Sequence, residues 1–214
     1  MSKSGATVAA ATGAPLPPPD FDARRIPERA LDFAITRVMR IHRTIHSPIF
    51  YNRRSASRDV YRFDAPNDEY GVLYASESFS ACMAETVIRD RFQRQAAPIL
   101  LSEAALVERS ISLIAPISAA ILRLADLTRP LFTIGFTAQI LSDPDYTAPN
   151  AWSKALFGHP QQLDGIYFRS RYVNEPSIAM FDRCKLAPHG PAIPLLTFPA
   201  LGPFLDQYDI GLAP

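Results

Sequence analysis

Apolar and polar positions divide this chain into short pieces rather than long periodic ones. Pro27 and Glu28 suit the first turn of a helix running to about Arg37, and Val38 to Arg43 (VMRIHR) predicts a strand leading out of it. Asn67 and Asp68 are turn formers ahead of Gly71 to Ala75, a short apolar run that reads as a buried strand. Ser78 is placed to cap a helix from Phe79 to about Phe92, on which Phe79, Cys82, Met83, Thr86 and Val87 make one apolar stripe. Glu85 falls at the edge of that stripe. Ile99 to Leu127 is rich in aliphatic residues, and its alternation around Ser110 to Ile114 predicts strands. Asn150 is positioned to cap a helix through Trp152 to Phe157, which Gly158 and Pro160 stop. Asp164 to Phe168 and Ser177 to Phe181 follow as strands, and Pro194 to Pro214 is an apolar, Pro-interrupted segment expected to pack back on the domain. Short strands mixed with helices, without an orderly βαβ series, give an α+β fold.

Two stretches lack such periodicity. Residues 1–22 begin with a run of small, polar and Pro-rich residues and are expected as a flexible tail, leaving residues 23–214 as the domain. Lys3 precedes an Ala-rich stretch, but this stretch has no Leu, Ile or Phe to form the apolar region of a signal peptide. Ser47 to Asn67 mixes Pro, Asn, arginines and aromatics and reads as a long, partly extended loop, a length often associated with function.

Composition narrows the class. With 214 residues, 48% hydrophobic and 20% charged, the chain suits one compact domain with a sizeable core, and no run reaches transmembrane length. The formal net charge of +1 supplies no overall field for gathering nucleic acid or an anionic membrane, so neither is an expected partner. Cys82 and Cys184 are far apart and match no metal-ligand spacing, and they read as free thiols in a reducing cytoplasm. No G-x-G-x-x-G or G-x-x-x-x-G-K-[ST] motif is present, so a dinucleotide would bind outside a Rossmann fold.

Three runs carry the candidate chemistry: Arg40 in VMRIHR, Glu85 in YASESFSACMAET and Ser170 in LDGIYFRSRY. Their order, with Arg62 in YRFDAP and Tyr74 in VLYASES between the first two, resembles the RES domain over roughly Ala34 to Phe181. That family supplies the toxin half of a type of bacterial toxin–antitoxin pair. The resemblance implies an ADP-ribosyltransferase-like fold and NAD as a consumed substrate, with no resident cofactor and no metal. It also implies a cognate antitoxin, typically with a DNA-binding helix-turn-helix-type part. In the family picture Glu85 stabilises the cationic transition state of nicotinamide–ribose cleavage, Arg40 and Arg62 contact the dinucleotide, and Ser170 orients an amide or hydroxyl. Where some relatives carry a tyrosine after the first arginine, this chain has Ile41, and that contact is not carried over.

The residues also have plain structural readings. Glu85 and Arg89 stand in the favourable i,i+4 order of an exposed helical ion pair, and Arg62 could pair with Asp64 or Asp68. Tyr74, with Tyr51 as a second aromatic, is a candidate to stack on nicotinamide, against the alternative of a core tyrosine with a satisfied hydroxyl. Ser170 lacks a hydrolase elbow and a partner histidine, which argues against a catalytic triad. His42 and His46 lack the neighbours of a metal site. The acceptor of ADP-ribose, whether a protein, phosphate or water, stays open. A second class stands beside the enzyme: a binding module whose Arg-rich loop, interleaved with Phe50, Tyr51, Tyr61 and Phe63, contacts an anionic partner.

Overall fold

The computed structural model describes residues 13–55, 58–89, 99–118 and 120–214. Eleven strands appear among them. β1 (Glu28–Asp32), β2 (Val38–Arg43), β3 (Val72–Ala75) and β4 (Leu100–Ser102) precede β5 (Arg109–Pro116) and β6 (Ile121–Asp126). β7 (Gly165–Arg169), β8 (Pro176–Phe181), β9 (Leu186–Pro188), β10 (Ile193–Pro194) and β11 (Gly211–Ala213) complete the set. They form a five-stranded sheet in the order β1-β6-β7-β8-β3, a second sheet β10-β5-β2 with β9 also on β5, and a parallel β4–β11 pair. Only β6 and β7 run parallel in the large sheet, and the helices Ala138–Ser142 and Thr147–Gly158 lie in the crossover between them. The α+β architecture read from the sequence is the one observed.

Alternation along the strands builds layers. In β7 and β8, Ile166, Phe168, Ala179 and Phe181 face one core with the helix Thr147–Gly158, while Tyr167, Ile178 and Met180 face a second core shared with Val38 and Ile114. A third core joins Ile41 and Ile111 to Cys82, Met83 and Val87 of the Glu85 helix and to Leu195, Leu201 and Phe204. The C-terminal segment therefore packs back as expected. No helix among the described residues is long and apolar enough to cross a membrane.

Four expectations change. The helix expected from Pro27 to Arg37 is strand β1, paired antiparallel with β6 in the register Leu31↔Leu122, followed by a turn in which Asp32 Oδ1 accepts from the Ala34 N–H at 2.8 Å. Pairing with β6 overrides the local helix signal, and Ile35, which a helix would have buried, is 82% exposed. The tail expected to reach residue 22 is tied down within its described part: Phe21 is buried edge-on to Trp152, whose Nε1–H donates to the Pro15 carbonyl at 2.8 Å. Residues 1–12 lie outside the described residues. The Trp152 helix begins at Thr147, not Asn150, because the Asp145 carboxylate accepts from the Thr147 N–H at 2.9 Å and Pro149 fits its first turn. Finally, a helix at Glu103–Val107, capped by Ser102, interrupts the region expected as strands.

Gly165 shows how tightly β7 and β8 approach. A Cβ there would overlap the Ala179 carbonyl oxygen and stand 3.0 Å from Met180 Cα, both backbone atoms that cannot swing away. Gly165→Ala is expected to destabilise the fold by about 1–3 kcal/mol, measured as a lower denaturant midpoint. An unchanged midpoint would contradict this packing.

Candidate active site

One cleft of about 410 Å³ lies between the end of the large sheet, strand β2, the loop after β2 and the Glu85 helix. Arg40, Arg43, Arg62, Arg89, Arg109 and Arg171 line it, with Asp59 and Glu85 as its carboxylates. So uneven a ratio leaves a cationic cleft around one helix-borne glutamate.

Helix geometry aims that glutamate. Ser78 caps the helix, its Oγ accepting from the Ala81 N–H, and the α-turns of Phe79–Met83 pass into a π-helical segment, Ala84–Ile88. The Arg89 N–H then donates to Ala84 O, five residues back. Ala81 to Ala84 are buried, and burial returns at Val87 and Ile88. Glu85 and Thr86 both turn to the cleft. Thr86, expected in the apolar stripe from a 3.6-residue period, is thus a cleft residue. Residues 90–92, the expected end of the helix, lie outside the described residues.

Ser170 follows β7 directly and is buried; its Oγ donates to Glu85 Oε1 at 2.7 Å and accepts from the Tyr172 N–H at 3.3 Å. The hydroxyl therefore fixes the carboxylate from behind rather than forming the cleft wall. Arg40 projects from β2 and donates through Nη1 to the Phe50 carbonyl at 2.9 Å. Burial lowers its guanidinium to about 10, which leaves it charged at neutral pH. Arg40 and Glu85 thus line one cleft, and Ser170, expected to orient a substrate amide or hydroxyl, instead bonds Glu85 from outside that lining.

Arg62 also lines the cleft, but not as the partner of Asp64 or Asp68. Its guanidinium lies 5.5 Å from the Tyr146 ring, and its buried Nη1 has no hydrogen-bond partner among the described residues. Burial, and then the neighbouring Arg171 charge, push its pKa down. Arg171 is therefore part of the same positive wall.

The aromatics divide. The Tyr74 ring lines the cleft, edge-on to Tyr61 at 5.8 Å, but its hydroxyl is engaged internally: it accepts from the Phe63 N–H at 2.9 Å and donates to Asp64 Oδ1 at 3.1 Å. Burial raises its pKa well above the usual phenol range. Tyr51 is turned away, correcting its assignment as a ligand contact. The Asn52↔Val72 bridge sends the Asn52 side chain toward Asp64, so the preceding residue points to the opposite side, where the Tyr51 hydroxyl donates to the Cys184 carbonyl. Tyr61, marked by the sequence only as an aromatic of the Arg-rich loop, is one aromatic wall, and Tyr146, which comes from the crossover after β6 and has no mark in a single sequence, is the other. Arg89 lies over the Tyr61 ring at 4.7 Å. His42 is satisfied by Ser112 Oγ at 3.0 Å and the Arg43 carbonyl at 2.9 Å.

This is an α+β domain with a carboxylate-centred cationic cleft. The chain belongs to the RES-domain family: the family model matches residues 37–199, about three-quarters of its length. A stretch of 58 residues is 40% identical to the probable toxin y4kH of Sinorhizobium fredii (strain NBRC 101917 / NGR234), covering 27% of this chain and 39% of that protein. The chain thus matches about two-fifths of that relative's length. The fold is shared with a chain of the M. tuberculosis MbcT–MbcA toxin–antitoxin complex, at a TM-score of 0.57 and 18% identity over 88% of this chain and 94% of that one.

Cys82 lines the cleft, yet burial pushes its thiol up to about 12, and Cys184 likewise to about 12. Neither is a thiolate nucleophile near neutral pH. Both are expected to resist a disulfide-exchange reagent in the folded protein and to titrate rapidly in denaturant. Fast native-state labelling of Cys82 would contradict this protection.

Proposed function

We propose that this protein is the toxin of a toxin–antitoxin pair and that it consumes NAD, breaking the nicotinamide–ribose bond and passing ADP-ribose to a protein, phosphate or water. The observation that carries this reading is the Glu85 carboxylate, held by Ser170 at 2.7 Å inside an arginine-lined cleft. Cleavage leaves an oxocarbenium-like ribose carbon while the bonding electrons depart with neutral nicotinamide. A carboxylate at that carbon stabilises the developing charge, and no general acid is needed for the leaving group. The acceptor then bonds to the ribose carbon and releases its proton.

The arginines suit the rest of the dinucleotide. Arg62 has an unpartnered buried N–H and Arg171 stands beside it, a costly arrangement that a pyrophosphate would relieve through charge-assisted hydrogen bonds. The Tyr61 and Tyr74 rings offer apolar faces for a nicotinamide or adenine. The relatives named as a probable toxin and as a toxin–antitoxin complex support a cognate antitoxin as the protein partner; a helix-turn-helix-type DNA-binding part for it is carried over from the family resemblance. The chain would then act in the cytoplasm.

The binding-module reading finds less support in the loop itself. Phe63 is fully buried, Phe50 lies under Arg58 at 5.0 Å, and Arg53 is paired with Asp182, so these residues do not form one stacking face.

Mixing the full chain with NAD and following free nicotinamide tests the reaction, with phosphate or lysate added to reveal the acceptor. Glu85→Gln is expected to slow release by about 10²–10³-fold while keeping the melting temperature, the size of effect seen when one transition-state-stabilising group is removed. Arg171→Met is expected to act mainly on KM, because it removes a charge contact common to ground and transition states. No release by the wild type under any condition would transfer the weight to the binding module.

A further inference from the structure

We propose that Asp64 is a positioning residue for this cleft, clamping segment 61–63 so that Tyr61 and Arg62 form its wall; this rests on the functional reading above. Asp64 is fully buried and lies outside the cleft lining. Its Oδ2 accepts from Asn52 Nδ2 at 2.6 Å and from the Tyr61 N–H at 2.8 Å, and its Oδ1 accepts from the Tyr74 hydroxyl at 3.1 Å. Each donor belongs to a different part of the site. Asn52 is bridged by its backbone to β3, Tyr74 stands within β3, and Tyr61 is at the cleft.

A carboxylate fits this junction better than its amide isostere. Three donors converge on two oxygens, and an asparagine would turn an N–H toward at least one of them. Burial alone raises the Asp64 carboxyl, while the hydrogen bonds from Tyr61, Asn52 and Tyr74 oppose that shift. The Tyr74 hydroxyl extends the clamp by one step: having donated to Asp64, it accepts from the Phe63 N–H at 2.9 Å. Asp64 thus touches no substrate atom and acts through Tyr74 and the backbone on either side of Arg62.

The test compares Asp64→Asn, Tyr74→Phe and the double variant with wild type in the full chain, at a temperature where all are folded. Each single variant is expected to raise KM for NAD between about ten- and a hundredfold, the range for small misplacements of binding groups, with a smaller change in kcat because Glu85 and Ser170 are held separately. The double variant should be no worse than the weaker single, since both open one clamp. Hydrogen exchange of the unliganded chain supplies a second readout: the amides of Tyr61, Phe63 and Asp64 should lose protection in Asp64→Asn. Unchanged KM beside a lowered melting temperature, or unchanged amide protection, overturns the proposal. Absence of nicotinamide release by wild type overturns the functional reading instead, and the exchange data then decide the clamp alone.

Discussion

The part of the cleft wall that carries Tyr61 and Arg62 is built from backbone that belongs to no ladder, and a buried segment of that kind is stable only if its peptide groups find partners. Residues 61–64 meet this constraint with side chains drawn from three directions. Asp64 takes the Tyr61 N–H, Tyr74 takes the Phe63 N–H, and Asn150 Nδ2 donates to the Tyr61 and Arg62 carbonyls at 2.9 and 3.0 Å. Ser153 Oγ donates to the Phe63 carbonyl at 2.6 Å and itself accepts from the Tyr70 hydroxyl at 2.8 Å. Asn150 and Ser153 are three residues apart on one helix face, so the crossover helix between β6 and β7 presents both to the loop. The topology of the large sheet thereby fixes the position of Arg62.

Electrostatics follow from the same arrangement. Arginines elsewhere in the loop are engaged locally: Arg53 reaches Asp182 and the Asp68 carbonyl, and Arg58 covers Phe50. The carboxylate nearest Arg62 in sequence, Asp64, is consumed by neutral donors, which prevents it from quenching the positive wall. Desolvation then strengthens what remains, because charges in a partly buried cleft are screened less than at an open surface.

Much of this was legible in the sequence. Strands β2, β3, β7 and β8 carry their hydrophobic pattern openly, and of the three motif residues the fold sets Arg40 and Glu85 on one cleft, with Ser170 bonded to Glu85. What the sequence concealed is decided by tertiary contacts. β1 reads as a helix until β6 is beside it, and Tyr146 has no local mark because its place depends on a crossover ending about twenty residues later. Tyr51 and Tyr74 look alike as candidates. One residue of alternation at the Asn52↔Val72 bridge separates them, sending Tyr51 to the Cys184 carbonyl and leaving the ring of Tyr74 in the cleft.

The Glu85 helix shows the strongest conflict between period and purpose. A regular 3.6-residue period buries positions 79, 82, 83, 86 and 87, and it leaves Glu85 at the margin of that stripe. Burial instead runs from 81 through 84 and returns at 87 and 88, so that two consecutive side chains of the π segment, Glu85 and Thr86, face the cleft. Widening a turn weakens the helix locally, which is tolerable here because Cys82, Met83, Val87 and Ile88 remain in the third core and Ser170 holds the half-buried Glu85 carboxylate. Ser170 therefore belongs to the site by its effect on Glu85 rather than by any surface it offers. Its burial keeps the hydrogen bond to Glu85 Oε1 away from water, while Glu85 itself lines the cleft.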